Sequence, residues 1–151
     1  MSAIVEISRR LVASTVTELR ASTDTERVVL WLGERMADQI VVRDVFVPVQ
    51  YSCADFFHIP PRGMDELLRN LRARRLMVAA QVHTHPEAAF HSWADDQWAI
   101  VRHTGALSLV VPRFCQDTTS DTFVRDALVY RLSENDQFVL VDAVETFLVT
   151  T

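Results

Sequence analysis

The chain has 151 residues, 49% of them hydrophobic and 23% charged, with a formal net charge of -5. That length supports one compact domain with a real core over residues 1–151 and leaves no room for a second. Apolar runs stay far below the ~18 residues of a membrane span, and the acidic balance argues against a nucleic-acid surface. The two cysteines, Cys53 and Cys115, are far apart. Together with a start that lacks a secretory leader, they point to free thiols in a reducing cytoplasm.

In chain order, the pattern predicts a short strand near Ala3 to Ile7. A helix follows from about Ser8 to Arg20, with Val12, Val16 and Leu19 on one face. Strands are expected at Val28 to Leu32 and Ile40 to Val49. Met64, Leu67, Leu68 and Leu71 then form the apolar stripe of a helix ending at Arg75. Asp65 and Glu66 fall in its first turn and Arg69, Arg72, Arg74 and Arg75 towards its end, as the helix dipole favours, so this basic cluster reads as a solvated helix end. All fifteen basic residues of the chain are arginine. Leu76 to His83 reads as a buried strand, with a helix expected from Ser92 to about Arg102. Leu107 to Val111 is another apolar strand. Ala127 to Leu132 and Phe138 to Val141 alternate as a hairpin around a polar turn at Ser133 to Gln137. The sum is an α/β domain, a mixed sheet flanked by helices.

The densest chemistry is His83-Thr84-His85-Pro86 followed by Phe90-His91-Ser92-Trp93-Ala94-Asp95. The strand period of two sends His83 and His85 to one face and Thr84 to the other. Pro86 favours extended backbone at His85 and so presents the pair at the sheet's rim. Ser92 can open a helix whose first turn carries Asp95 back towards that rim. Two imidazoles and a carboxylate leave one tetrahedral position open, the pattern of a catalytic zinc with one ion per chain. Ser92-x-x-Asp95 equally matches a capping box, in which both side chains only satisfy helix N–H groups. Asp96 and His91 compete with Asp95 as the third ligand.

Other zinc and hydrolase classes fit worse. A nucleoside deaminase needs a Pro-Cys-x-x-Cys pair that the two distant cysteines cannot supply. A barrel amidohydrolase needs about 250 residues. With glycine only at 33, 63 and 105, no phosphate loop or Gly-x-Ser-x-Gly elbow can form.

The residues His83-Thr84-His85-Pro86 and Phe90-x-Ser92-x-x-Asp95 resemble the JAMM motif of JAB/MPN-domain metalloproteases, and the resemblance covers most of the chain. It implies a JAB/MPN-like (cytidine deaminase-like) fold. It also implies an upstream glutamate ahead of an apolar strand ending in glycine, which Glu26 to Gly33 supplies; without it, nothing separates Glu26 from Glu34 or Asp38. The gap from His85 to Ser92 is one residue shorter than the family's. Residue types select Phe90, Ser92 and Asp95, whereas counting selects Trp93 and Asp96. The shortening then falls among Glu87, Ala88 and Ala89.

By resemblance, zinc on His83, His85 and Asp95 makes hydroxide available near neutral pH, Glu26 serves as general base and then acid, and Ser92 donates to the oxyanion. The implied substrate is an amide or isopeptide bond after the C-terminal tail of a ubiquitin-like protein or its conjugates. Tyr51 to Gly63, with Phe56 and Phe57, stands where the family places a flap over that tail; core packing is the plainer role for these two rings. Pro112 to Asp126 offers only Cys115 as a soft ligand, so no second zinc is expected. The likeness is to compact bacterial JAB proteins, some accompanying activating and conjugating enzymes in antiphage operons. A non-catalytic MPN scaffold and a metallopeptidase that processes sulfur carriers are the competing readings. Neither nucleic acid nor a membrane is an expected partner.

Overall fold

A computed structural model of the chain gives the structure of residues 2–87, 100 and 102–151. The chain begins with β1 (Ile4–Ser8), α1 (Arg9–Leu19), β2 (Val28–Met36) and β3 (Gln39–Phe46). A two-stranded ribbon, β4 (Tyr51–Ser52) and β5 (Phe57–His58), leads to α2 (Pro61–Arg74) and β6 (Met77–Thr84). The remainder is β7 (Leu107–Val111), β8 (Leu128–Leu132), β9 (Phe138–Val141) and β10 (Phe147–Thr150), with short helices α3 (Phe123–Asp126) and α4 (Ala143–Thr146).

Eight strands form one mixed sheet in the order β10-β1-β3-β2-β6-β7-β8-β9. The pairs β1–β10, β1–β3 and β6–β7 are parallel, and the others antiparallel. β2 and β6 lie side by side in the middle, buried on both faces, which is why their sequences read as apolar runs without alternation. Alternate residues of β2 serve different cores. Val29 and Trp31 pack with Leu11, Val12, Val16 and Leu19 of α1, while Val28, Leu30 and Leu32 pack against Leu67 of α2.

α1 starts as predicted, because the Ser8 side chain accepts from the Leu11 amide at its N-terminus. Inside the α1 core, Thr15 Oγ1 donates to the Leu11 carbonyl and accepts from Trp31 Nε1 at 2.9 Å, so the indole is buried without losing its hydrogen bond.

Three expectations need correction. β3 stops at Phe46 rather than Val49, since Pro48 has no N–H for the ladder. α2 begins at Pro61, three residues before Met64, because proline at the first helical position has the right φ and no donor to waste; Asp65 and Glu66 therefore lie beyond the first turn. Gly33 does not end β2, which runs on to Met36 past a bulge at Leu32/Gly33. A Cβ on Gly33 would sit 2.6 Å from the Val41 carbonyl oxygen, so glycine here permits close approach of two strands rather than a turn. The helix expected from Ser92 lies largely outside the described residues, and the chain is not helical at Ile100 or Arg102. β10 and the β4–β5 ribbon were not anticipated.

Candidate metal centre

His83 sits near the end of β6, paired with Val28 of β2 on one side and Val110 of β7 on the other. Two residues further along each antiparallel strand come Glu26 and His85, which the register sets opposite each other on the face that carries Val28 and His83. Thr84, in between, points the other way: its Oγ1 accepts from the Arg27 amide at 3.0 Å and its own amide donates to the Arg27 carbonyl. The alternation read from the sequence is thus what brings the two imidazoles together.

Glu26, His83 and His85 are 2%, 0% and 3% exposed. One ligand atom from each lies within 4.8 Å of the others, and Glu26 Oε1 is 3.8 Å from His85 Nε2. The imidazole rings of His83 and His85 stand 5.2 Å apart. Two imidazole nitrogens and a carboxylate oxygen, converging from buried side chains, are the donor types that suit zinc. Buried polar groups of this kind are retained where they are hydrogen-bonded or coordinate a metal. The residues present fit a bound divalent ion.

The backbone around the cluster is pinned on every side. The His85 amide donates to the Val111 carbonyl at 2.9 Å, and the His85 carbonyl accepts from the Phe114 amide at 2.8 Å. Phe114 belongs to a turn, residues 113–115, in which three consecutive non-glycine residues have φ of 51°, 51° and 63°. Left-handed backbone of this kind persists only where its surroundings hold it. Arg20, just past α1, does so through Nε to the Cys115 carbonyl and Nη2 to the Gln116 carbonyl. On the other side, the Glu26 amide donates to the Cys53 carbonyl, and the Cys53 amide to the Phe56 carbonyl, both at 2.8 Å. Where β3 has ended, the Gln50 side-chain amide replaces it: Oε1 accepts from the Val28 amide and Nε2 donates to the Val28 carbonyl. Arg20, Gln50 and Phe114 were missed in the sequence because they act through backbone groups, which leave no residue-type pattern.

Phe57 and Phe56 part company. The Phe57 ring lies 5.4 Å from that of His83 and packs against the α2-side core. Phe56 is 47% exposed on the ribbon beside Glu26. Cys53 is an exposed free thiol. Burial pushes the Cys115 thiol up to about 11, despite the opposing charge of Arg20, so it is a protonated, packed side chain at neutral pH. Ser92 and Asp95, with their competitors His91 and Asp96, lie outside the described residues; Glu34 is on the surface, ion-paired with Arg43.

The family model described as prokaryotic homologs of the JAB domain matches residues 8–125. The probable metalloprotease y4jG of Sinorhizobium fredii (strain NBRC 101917 / NGR234) is 31% identical over 119 residues, covering 75% of this chain and 74% of the relative. Among solved structures, protein DSY2949 from Desulfitobacterium hafniense superposes with a TM-score of 0.72 at 13% identity, over 97% of this chain and 93% of that one. AF2198, a JAB1/MPN domain protein from Archaeoglobus fulgidus, gives 0.55 at 15% identity over the whole of both chains. At those identities the structural likeness concerns the fold.

Proposed function

Since this chain belongs to the prokaryotic homologs of the JAB domain, we propose that it is a zinc-dependent peptidase or isopeptidase that cuts after the C-terminal tail of a ubiquitin-like protein, in precursors or conjugates. The observation that carries the reading is the buried Glu26–His83–His85 cluster, with its donor atoms within 4.8 Å of one another. His83, His85 and Asp95 would hold one zinc, which supplies a Lewis acid able to make hydroxide available near neutral pH. Glu26 takes a proton from the attacking water and returns it to the leaving amine, two jobs for one carboxylate beside an imidazole. Its backbone is tied to Cys53, so the base is fixed relative to the ribbon that carries Phe56. Ser92 donates to the oxygen on which charge develops.

An extended tail laid along the ribbon would gain main-chain hydrogen bonds, with the exposed Phe56 ring beside it; Phe57 supports His83 from beneath. We assign the protein to the cytoplasm of a bacterium with a ubiquitin-like system, where activating and conjugating enzymes, or an antiphage operon, would accompany it. Two free cysteines accord with that. Among the described residues no helix is long and apolar enough to cross a membrane.

The test incubates the zinc-loaded protein with candidate ubiquitin-like precursors and conjugates and locates the cleaved bond by mass. Cleavage directly after the modifier's tail, abolished by chelator and restored by zinc, supports the reading. Tight zinc binding with no cleavage would favour a scaffold. Release of a small product from a sulfur carrier would favour the biosynthetic peptidase.

A further inference from the structure

The far end of the sheet holds a second group of polar and charged side chains. Arg35 near the end of β2 pairs directly with Ile40 of β3, and Arg131 of β8 pairs with Leu107 of β7. Directly paired residues share a face, and both Ile40 and Leu107 belong to the α1-side core. Both guanidiniums therefore rise from that face. There they line a cavity of about 340 Å³, with His103, Thr104, Ser2 and Glu134 on its walls and Ile40 and Leu107 in its floor. From Val28 to Arg35 is seven steps along β2, or ~23 Å at strand rise, and the metal cluster occupies the opposite face. The cavity is not part of the metal centre.

Among the described residues its two arginines and one histidine face a single acid, Glu134. Arg9, Arg27, Arg43, Arg74, Arg102, Arg113 and Arg125 all make ion pairs. Arg35 and Arg131 have neither an ion pair nor a side-chain hydrogen bond among the described residues. Burial lowers the pKa of Arg131, and burial together with the charge of Arg35 lowers that of His103. Both shifts disfavour the cationic form in the unoccupied cavity, which an anion seated there would reverse. Glu134, the acid on the wall, is exposed, as are Arg35 and His103, while Arg131 is half-buried. His103 is held in place by a turn: its carbonyl accepts from the Ala106 amide, and Gly105, at φ 88°, donates to the Leu132 carbonyl.

We propose that this cavity binds a small molecule bearing a phosphate or carboxylate group, held between Arg35 and Arg131 with its apolar part on Ile40 and Leu107. Guanidinium forks match both oxyanions in geometry, and a cation would be repelled by the pair. At ~30 Å³ of liquid volume per water, the space equals roughly eleven waters, ample for a metabolite and too small for a folded partner.

The full chain should be titrated with inorganic phosphate and, separately, succinate, against sodium chloride at equal ionic strength. The unfolding midpoint should rise by roughly 5–10 °C at a hundredfold excess over Kd for at least one of them. A response to phosphate alone identifies a phosphoryl ligand, and to succinate alone a carboxylate. The response should persist in His83→Ala, which separates it from anions at the metal centre, and weaken at least tenfold in Arg35→Met/Arg131→Met. Amide resonances that move in the wild type should cluster at His103, Thr104, Gly105 and Arg131, a readout independent of whether the double variant folds. No response beyond chloride, an undiminished response in a folded double variant, or shifts confined to other residues would overturn the proposal.

Discussion

The amide of Phe114 donates to the carbonyl of His85, so a candidate metal ligand is held by a residue with left-handed backbone. Arg20 braces that turn from the end of α1 through two carbonyls. Arg20→Met should therefore leave the circular dichroism spectrum intact and weaken zinc binding by about tenfold, the lower end of what outer contacts of a ligand contribute. Competition with a chelator of known affinity measures it. Unchanged affinity would mean that the turn holds its shape without Arg20.

Glu26→Gln separates two roles for one side chain. As general base, Glu26 can lose its charge while zinc stays bound, and turnover should fall by roughly 10² to 10⁴. Glu34→Gln, on the surface, should match the wild type. Zinc lost together with activity would instead make Glu26 the third protein ligand, in a two-histidine, one-glutamate shell.

The identity of the remaining ligand follows from metal content. Alanine at Asp95, Asp96 and His91, one at a time, should remove zinc only for Asp95. Loss in Asp96→Ala would show that the loop keeps the family's spacing by count, and loss in His91→Ala would indicate a three-histidine site.

Gly33→Ala should destabilise the fold by about 1–3 kcal/mol, as overpacking does, because the new Cβ meets the backbone oxygen of Val41 and not a side chain that could turn aside. Urea unfolding reads this directly. A neutral result would mean that β2 and β3 separate at the bulge at little cost.

The convergence of His83 and His85 was legible because local rules govern it. Alternation placed His83 and His85 on one face, and a run of apolar residues marked β6 as buried on both. Glu26 was not legible from its surroundings: a carboxylate before a strand is ordinary, and only a register linking residues 28 and 83 gives it meaning. The same holds for Arg35 and Arg131, nearly a hundred residues apart and joined only by the curl of strands between them. Gly33 misled, since sequence shows that a side chain is absent without showing what approaches. β10 escaped notice because four residues carry little periodicity, and its partner lies at the other end of the chain.

That last pairing has a bearing on how the protein is made. β1 pairs on one side with residues 39–41 of β3, but its outer edge pairs with Phe147–Thr150, about 140 residues after it. At a synthesis rate of ~5–20 residues per second, that edge stays open for roughly 7–28 s on every emerging chain. An uncovered strand edge invites pairing with a neighbour's. Glu6, which sits in β1 opposite Leu148, places a charge on the edge for the interval in which ribosomes on one message hold several such strands close together.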